Sequence, residues 1–347
     1  MKRRLIALLV IGWQSATAPQ RTAQESGVTV RLRGISAVST QVAWASGAEN
    51  TVLRTTNGGA TWERVASPSG DRLDFRDIDA IDARTAYVLS IGPGAASRIY
   101  RTNDAGARWD LQFTNSEPEA FFDAMAFWDA DHGLAVSDSV KGAFVIIRTE
   151  DGGRTWRRVQ AGALPAALPN EGAFAASGTS VAVLSGRLAW IGTGAASRAR
   201  VLRTSDAGRS WQVADTPVRA GPSAGIFSIA FRDARHGVIV GGDHAEEDAA
   251  IENVAVTTDG GVTWAPPRGR GLSGFRSVVA HVPATAGTFV ALGPRGGDIS
   301  TDDGHTWGPL PGDGADTFSA APRTGTGWAA GAGGRIARLV LRGPEVK

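Results

Sequence analysis

Thr149-Glu150-Asp151-Gly152-Gly153-Arg154-Thr155-Trp156 is the stretch that decides the fold, because close copies of it recur along the chain. The copies follow the pattern Ser/Thr-x-Asp-x-Gly-x-Thr-Trp, with Asn57 in place of Asp, and Arg108 and Ser210 in place of Thr. We call all six copies the repeat turns; the other five are residues 55–62, 102–109, 204–211, 257–264 and 300–307. Recurrence at a near-constant period predicts a repeat architecture.

The residue types of the repeat turns suit a tight connection between two strands. A short carboxylate or amide accepts backbone N–H groups across a turn, Gly adopts positive φ, and Trp packs inward on leaving the turn. We therefore predict a structural role for the third and eighth residues of each copy. These are Asn57, Asp104, Asp151, Asp206, Asp259, Asp302, Trp62, Trp109, Trp156, Trp211, Trp264 and Trp307.

The spacing of the repeat turns predicts one four-stranded propeller blade for each. Successive tryptophans are 47, 47, 55, 53 and 43 residues apart, and the intervening sequence consists of short strand-like runs with turn residues. A seventh unit follows Trp307 but stops after three strands. We expect an all-β fold, a single seven-bladed β-propeller closed by strands from both termini, with residues 27–32 supplying the missing strand.

The first residues are typical of an export leader. Lys2, Arg3 and Arg4 precede the apolar run Leu5 to Trp13, which is followed by the small residues Ala16-Thr17-Ala18. We assign residues 1–18 to a signal peptide, 19–27 to a linker, 28–341 to the propeller and 342–347 to a tail, and expect a periplasmic or secreted protein. An uncleaved anchor is the alternative, although the run is shorter than a transmembrane helix requires.

Composition restricts the function classes. Without the three leader cations the formal charge of +2 becomes −1, and the arginines are scattered, so nucleic acid is not an expected partner. The chain has no Cys, which excludes disulfides and thiolate chemistry. We expect a monomer without a cofactor.

The loops opposite the repeat turns are where a site is expected, because they open over the central channel. The charged binding-face candidates there are Arg76, Lys141, Glu171, Asp243, His244 and Arg276. Glycoside hydrolysis needs two converging carboxylates, and Asp138 and Glu171 are the weak catalytic candidates, with Glu117 and Asp243 on similar loops.

Other apparent motifs have simpler explanations. The glycine-rich loops 92–97 and 192–197 resemble a dinucleotide fingerprint, but strands rather than helices are predicted to follow them. The acidic loop 241–248 lacks the regular ligand spacing of a cation site, so no metal is expected. His132 and His236 lie in a recurring turn, and a propeller has no strand-to-helix turn on which a nucleophile elbow could be built.

The repeat turns have the form of the Asp-box, or BNR, motif, and with seven units and a leader the chain resembles the photosystem II stability/assembly factor-like family. The stretches 171–180, 223–228 and 241–243 resemble a bacterial branch of that family labelled only "oxidoreductase" or "glycosyl hydrolase". Sialidases share the Asp-box, but their Arg-Ile-Pro motif is missing here, and the only tyrosines are Tyr87 and Tyr100.

The resemblance implies a non-enzymatic binding scaffold for a protein partner, such as a membrane complex during assembly. A glycoside hydrolase that binds a glycan is the alternative, and an oxidoreductase is a more distant one. Whether the chain has any enzymatic activity stays open at this point.

Overall fold

A computed structural model of the chain describes residues 19–184 and 187–341. These residues form seven antiparallel sheets, which confirms the prediction of an all-β, seven-bladed propeller. Helical structure in the two ranges is limited to three single 3-10 turns, at Gly94–Ala96, Ala161–Ala163 and Ala332–Gly334. None of the helices in this described part is long and apolar enough to cross a membrane. The predicted leader, residues 1–18, and tail, residues 342–347, lie outside the described residues.

The strands follow one order in every blade, from the innermost to the outermost. The chain begins with β1 (Gln20–Gln24). Blade 1 contains β2 (Leu32–Ala37), β3 (Ala43–Gly47), β4 (Thr51–Thr55) and β5 (Glu63–Arg64). Blade 2 contains β6 (Phe75–Ala80), β7 (Ala86–Ser90), β8 (Arg98–Thr102) and β9 (Asp110–Thr114). Blade 3 contains β10 (Phe122–Phe127), β11 (Gly133–Val140), β12 (Ala143–Thr149) and β13 (Arg157–Arg158).

The second half of the chain repeats this order. Blade 4 contains β14 (Val181–Leu184), β15 (Leu188–Gly192), β16 (Arg200–Thr204) and β17 (Gln212–Asp215). Blade 5 contains β18 (Ala224–Phe231), β19 (Gly237–Asp243) and β20 (Val254–Thr257), with a bridge between Val256 and Ala265 in place of a fourth strand. Blade 6 contains β21 (Val278–His281), β22 (Phe289–Gly293), β23 (Gly296–Ser300) and β24 (Gly308–Leu310). Blade 7 contains β25 (Thr317–Ala320), β26 (Thr326–Ala330), β27 (Ile336–Val340) and β1.

The innermost strands form a closed ring in which each contacts the innermost strands of the two neighbouring blades. Polar side chains on these strands bond the main chain of the next blade. Ser36 Oγ accepts the Ala80 amide at 3.1 Å, and Ser319 Oγ accepts the Ala37 amide at 3.1 Å, which joins blade 7 to blade 1. These bonds satisfy main-chain donors at the channel wall, where no fifth strand is present to pair with them.

All six repeat turns share one hydrogen-bond pattern. In the third, Thr149 Oγ1 donates to Asp151 Oδ1 at 2.9 Å and accepts the Gly153 amide at 2.9 Å, and Asp151 Oδ1 accepts the Thr155 amide at 2.9 Å. Gly153 has a φ of 81°. The same three bonds recur in the other five turns, including the first, where Asn57 replaces Asp. In each turn the third residue accepts hydrogen bonds that span the turn, and the hydroxyl at the first position adds a second acceptor for the backbone.

The tryptophans of the repeat turns pack between blades. Trp62, Trp211, Trp264 and Trp307 are buried, whereas Trp109 and Trp156 are half-buried. Each repeat turn contacts the end of the preceding blade; for example, Trp109 Nε1 donates to Ala66 O at 3.0 Å, just after β5. The turns thus join adjacent blades as well as adjacent strands.

The ring is closed by β1, and the sequence-based choice of closing strand was wrong. Residues 20–24, predicted to be linker, pair with β27, whereas Leu32 begins the innermost strand of blade 1. Gln24 explains why residues 20–24 close the ring. Its Oε1 accepts hydrogen bonds from Trp62 Nε1 at 3.0 Å and from Trp328 Nε1 at 3.1 Å. Its Nε2 donates to Gly58 O at 3.0 Å. Gln24 therefore connects blade 7 to the first repeat turn.

We predict that the threonine hydroxyl of a repeat turn contributes more to stability than the negative charge of its aspartate. Thr149→Val keeps the shape but leaves the buried Gly153 amide unpaired, which should lower the free energy of unfolding by about 1–3 kcal/mol. Asp151→Asn should change it by less, because Asn57 makes the same bonds in the first turn. Urea unfolding of both variants tests this, and a larger loss for Asp151→Asn than for Thr149→Val would contradict it.

Candidate functional site

One residue from each blade lies at the channel mouth on the side opposite the repeat turns. The strand registers place these seven residues at the same level, at or just before the start of the innermost strands. We call them the mouth ring: Arg33, Arg76, Asp123, Thr179, Phe227, Ser277 and Asp316. Four of them, Arg33, Arg76, Asp123 and Phe227, are the extra residue of a β-bulge. Bulges are a common means of re-aiming a side chain near a functional site.

Three arginines line the cavity at this mouth, which has a volume of about 280 Å³. Arg31 pairs with Asp316 at 2.6 Å, and Arg76 pairs with Asp74 at 2.8 Å. Among the described residues Arg33 forms no ion pair, and its Nη1 donates to the Ala176 carbonyl at 3.2 Å. Burial, together with the charges of Arg76 and Arg31, lowers the pKa of Arg33 to about 10. The carboxylates of Asp316 and Asp74 partly oppose this shift, but neither forms a direct ion pair with Arg33, which remains a cation at neutral pH.

The channel mouth is covered by the segment between β13 and β14, of which residues 172–178 form what we call the plug. Ala175 O accepts Arg76 Nη1 at 3.1 Å, and Ala176 O accepts Arg33 Nη1 at 3.2 Å. Ser177 Oγ donates to Ser277 O at 2.8 Å, and Ser177 O accepts the Thr317 hydroxyl at 3.1 Å. The plug, which precedes blade 4, therefore forms hydrogen bonds with blades 1, 2, 6 and 7 and orients Arg33 and Arg76 of the mouth ring.

Aromatic side chains form the other wall of the cavity. Phe174 of the plug stacks on Phe227 with ring centroids 3.9 Å apart and an interplanar angle of 7°, and Phe275 meets Phe227 edge-on at 4.7 Å. His244 approaches the edges of Phe174 and Phe227 at 6.4 and 5.9 Å. The mouth thus combines cations with an apolar surface, as ligand sites commonly do.

Buried carboxyl groups lie beneath the plug, next to its backbone. Asp77 approaches Gly178, and Asp138 approaches Gly172, so closely that a side chain at either glycine would collide with them. Burial raises the pKa of Asp138 to about 6, and a hydrogen bond from the Ala173 amide opposes this shift. Burial and the charge of Asp138 raise the pKa of Asp123 well above its ordinary range. The raised pKa of Asp123 favours its neutral form, which limits the negative charge close to Arg33 and Arg76, whereas Asp138 with a pKa of about 6 is mostly ionised at neutral pH.

Two residues expected on the exposed binding face are buried instead. Glu171 has no exposed side-chain surface; its Oε1 accepts Thr193 Oγ1 at 2.7 Å and Arg200 Nε at 2.8 Å, and its Oε2 accepts the Leu168 amide at 2.8 Å. Arg276 is also buried and pairs with Asp298 at 2.7 Å. Both expectations failed because the position of a residue in a loop does not reveal a buried partner of opposite charge.

The buried state of Glu171 also affects the hydrolase hypothesis. Asp138 and Glu171 are close through the main chain, since the Ser139 amide donates to Glu171 O at 3.1 Å. Retaining and inverting hydrolysis both require two carboxyl groups that reach the substrate. Glu171 is saturated by hydrogen bonds and inaccessible, so this pair does not meet the requirement.

The remaining candidates lie on the predicted face at different distances from the mouth. Arg76 and His244 line the cavity. Lys141 is exposed with Glu119 Oε2 at 3.9 Å, and Asp243 pairs with Arg219 at 3.3 Å. Within the described ranges no group of three or more His, Cys, Asp or Glu side chains is placed to hold a metal ion. Loop 92–97 leads into β8, as predicted, so it lacks the helix that a dinucleotide site needs.

Sequence reasoning missed Arg31, Arg33, Phe174, Phe227 and Asp316. A signal was present in the recurring four-residue pattern Leu32-Arg-Gly-Ile35, Phe75-Arg-Asp-Ile78, Phe122-Asp-Ala-Met125 and Ile226-Phe-Ser-Ile229. In each copy the second residue is the bulged one. Aligning the blades on this pattern, rather than only on the repeat turns, would have revealed most of the mouth ring.

Comparison with known proteins shows the fold but no family. No protein-family model matches the chain, and a search of curated proteins finds no relative. Among solved structures, YCF48 bound to D1 peptide superposes with a TM-score of 0.63 at 14% identity, covering 95% of this chain and 99% of that one. YCF48 from Cyanidioschyzon merolae gives 0.63 at 18% identity, covering 92% and 98%. An ancestral GH74 enzyme gives 0.60 at 14% identity, covering 91% of this chain and 46% of that one.

We predict that Glu171 is required for stability. Glu171→Gln leaves Arg200 buried without its counter-charge, which should cost about 3–5 kcal/mol of unfolding free energy. Lys141→Gln removes a charge from the exposed rim and is the matched control, with an expected change near zero. Chemical denaturation measures both, and equal stability of the two variants would show that the Glu171–Arg200 pair is not formed.

We predict a pH dependence of stability that originates at Asp138. Its folded-state pKa of about 6 lies above the unfolded value of about 3.9, so the protein loses stability as the pH rises from about 4 to about 6. Asp138→Asn cannot ionise and also relieves the neighbouring Asp123, so its melting temperature relative to wild type should increase across this range. Exposed Glu119→Gln is the control. A difference that stays constant with pH would rule out a raised Asp138 pKa.

Proposed function

We propose that the protein is an exported, non-enzymatic binding scaffold whose channel mouth holds an anionic segment of a protein partner. This is the role implied by the resemblance to the photosystem II stability/assembly factor-like family of Asp-box propellers. Under this proposal the partner is a membrane complex during its assembly. The propeller contributes a rigid ring, and the mouth contributes the recognition chemistry.

The observation that carries the proposal is that Arg33 forms no ion pair with any of the described residues. Each of the other arginines at the mouth has a carboxylate partner, but Arg33 is held by a carbonyl alone. Its low-dielectric setting strengthens attraction to an incoming anion, and its planar donors suit a carboxylate. A bound carboxylate would form the direct ion pair that Arg33 does not make with the described residues.

The structural comparisons support a binding role without assigning it. One superposed protein, YCF48, has a peptide bound, according to the description of that structure. The GH74 neighbour favours a glycan hydrolase as the second candidate, but this chain spans less than half of that enzyme. The burial of the Glu171 carboxylate favours the scaffold over the hydrolase. Glycan turnover that is abolished by Asp138→Asn would favour the hydrolase.

Export is part of the proposal because a periplasmic or secreted scaffold meets membrane complexes outside the cytosol. The leader-like residues 1–18 support it. Since β1 closes the ring, cleavage is expected before Gln20, so that the closing strand is retained. N-terminal sequencing of protein recovered from the cell envelope tests both points, and recovery of the full chain in the cytosol alone would refute export.

We predict that Arg33→Gln abolishes partner capture without unfolding the propeller. Immobilised wild-type protein is incubated with envelope extract, the captured protein is identified by mass spectrometry, and overlapping peptides from it are tested for binding. The binding peptides should carry a carboxylate, and their affinity should fall at least about tenfold for Arg33→Gln and decrease with added salt.

Lys141→Gln is the matched control, because it removes one cation from the same face away from the mouth. It should capture the partner as wild type does, and both variants should melt near the wild-type temperature. Equal capture by Arg33→Gln and wild type would contradict the proposed site.

A further inference from the structure

The plug supplies one wall of the mouth cavity as well as covering the channel. Phe174 lies two residues before Ala176, whose carbonyl holds Arg33, and one before Ala175, whose carbonyl holds Arg76. Two extended residues span at most about 7 Å, so the ring of Phe174 is attached close to both guanidinium groups. One short loop therefore fixes the relative position of an aromatic ring and two cations.

Phe174 is the accessible member of the aromatic wall. Phe227 and Phe275 are buried, at 3% and 4% exposure, whereas Phe174 is half-buried and lines the cavity. One face of Phe174 is covered by the stacked Phe227, and its edge meets Gly194 and Gly225, where any side chain would collide with the ring. Phe174 is thus held in one orientation by groups on blades 4 and 5.

This arrangement is more specific than an anion site requires. A site for a simple anion needs only donors, and an apolar surface beside Arg33 adds nothing to the binding of acetate or phosphate. A ligand group that carries a carboxylate next to an aromatic ring would contact both walls at once. Rings that stack on or meet Phe174 edge-on gain about 0.5–1.5 kcal/mol beyond the burial of their apolar area.

We infer that Phe174 is a specificity-determining residue, which selects partner segments in which a carboxylate lies beside an aromatic side chain. The inference rests on the proposed function and names its ligand class. Arg33 and Arg76 of the mouth ring bind the carboxylate of the partner, and Phe174 contacts the aromatic side chain beside that carboxylate. The plug is then a positioning element, because its carbonyls at Ala175 and Ala176 orient the two arginines while it also carries Phe174.

The test uses small probes on the intact protein. N-acetyl-phenylalanine carries both groups, N-acetyl-alanine lacks the ring, and N-acetyl-phenylalaninamide lacks the carboxylate. Dissociation constants are measured by calorimetry or NMR titration for wild type, Phe174→Ala, Phe174→Leu and Arg33→Gln. Leu111→Ala, which truncates an exposed side chain on β9, is the control.

Wild type and Leu111→Ala should bind N-acetyl-phenylalanine about tenfold more tightly than N-acetyl-alanine, and the amide should not bind. Phe174→Ala should bind the two acids equally, and Phe174→Leu should retain only part of the preference. Arg33→Gln should bind neither. N-acetyl-glutamyl-phenylalaninamide offers a side-chain carboxylate instead of a chain end, and the tighter of the two ring-bearing acids identifies which source the site accepts.

Equal binding of N-acetyl-phenylalanine and N-acetyl-alanine by wild type would overturn the inference, whatever the stability of the variants. A preference that persists in Phe174→Ala would also overturn it. In both cases binding that still depends on Arg33 would leave the proposed function standing. Failure of every carboxylate to bind wild type, with equal partner capture by Arg33→Gln, would instead remove the proposed function.

Discussion

The whole structure depends on joining the last blade to the start of the described chain. The C-terminal part of the described chain supplies only β25, β26 and β27 to blade 7, so its outermost position is occupied by a strand from the other end. The N-terminal strand β1 fills it by pairing with β27, and Gln24 then bonds Trp62 of blade 1 and Trp328 of blade 7. Only in the closed ring do residues from seven innermost strands converge on one channel mouth.

The arginines near the mouth show how burial separates structural from functional charges. Arg200 and Arg276 are buried and meet the buried carboxylates of Glu171 and Asp298. Each pair is self-contained and offers nothing to a ligand, and loss of one partner leaves an expensive buried charge. Arg33 instead donates to a carbonyl, and burial lowers its pKa to about 10 without removing its charge. It is the group with unused capacity for an anion.

The plug explains why the site could be only partly anticipated. Residues 171–180 stood out in the sequence, and the face opposite the repeat turns was the right place to search. Glu171 drew attention as a charged loop residue, but it anchors the base of the plug through Arg200, whereas Phe174 and two carbonyls form the cavity wall. A backbone carbonyl that orients an arginine has no sequence signature, because every residue has one.

The sequence by itself determined the blades, because the interactions that define them are local. A hydroxyl, a carboxylate or amide, and a glycine within five residues build each repeat turn, and six such turns at near-constant spacing specify the fold. The tertiary structure alone decided that β1 closes the ring, that Glu171 and Arg276 are buried, and that Arg33 forms no ion pair with the described residues. Each of these results depends on groups more than twenty residues apart, which are brought together only when the ring closes.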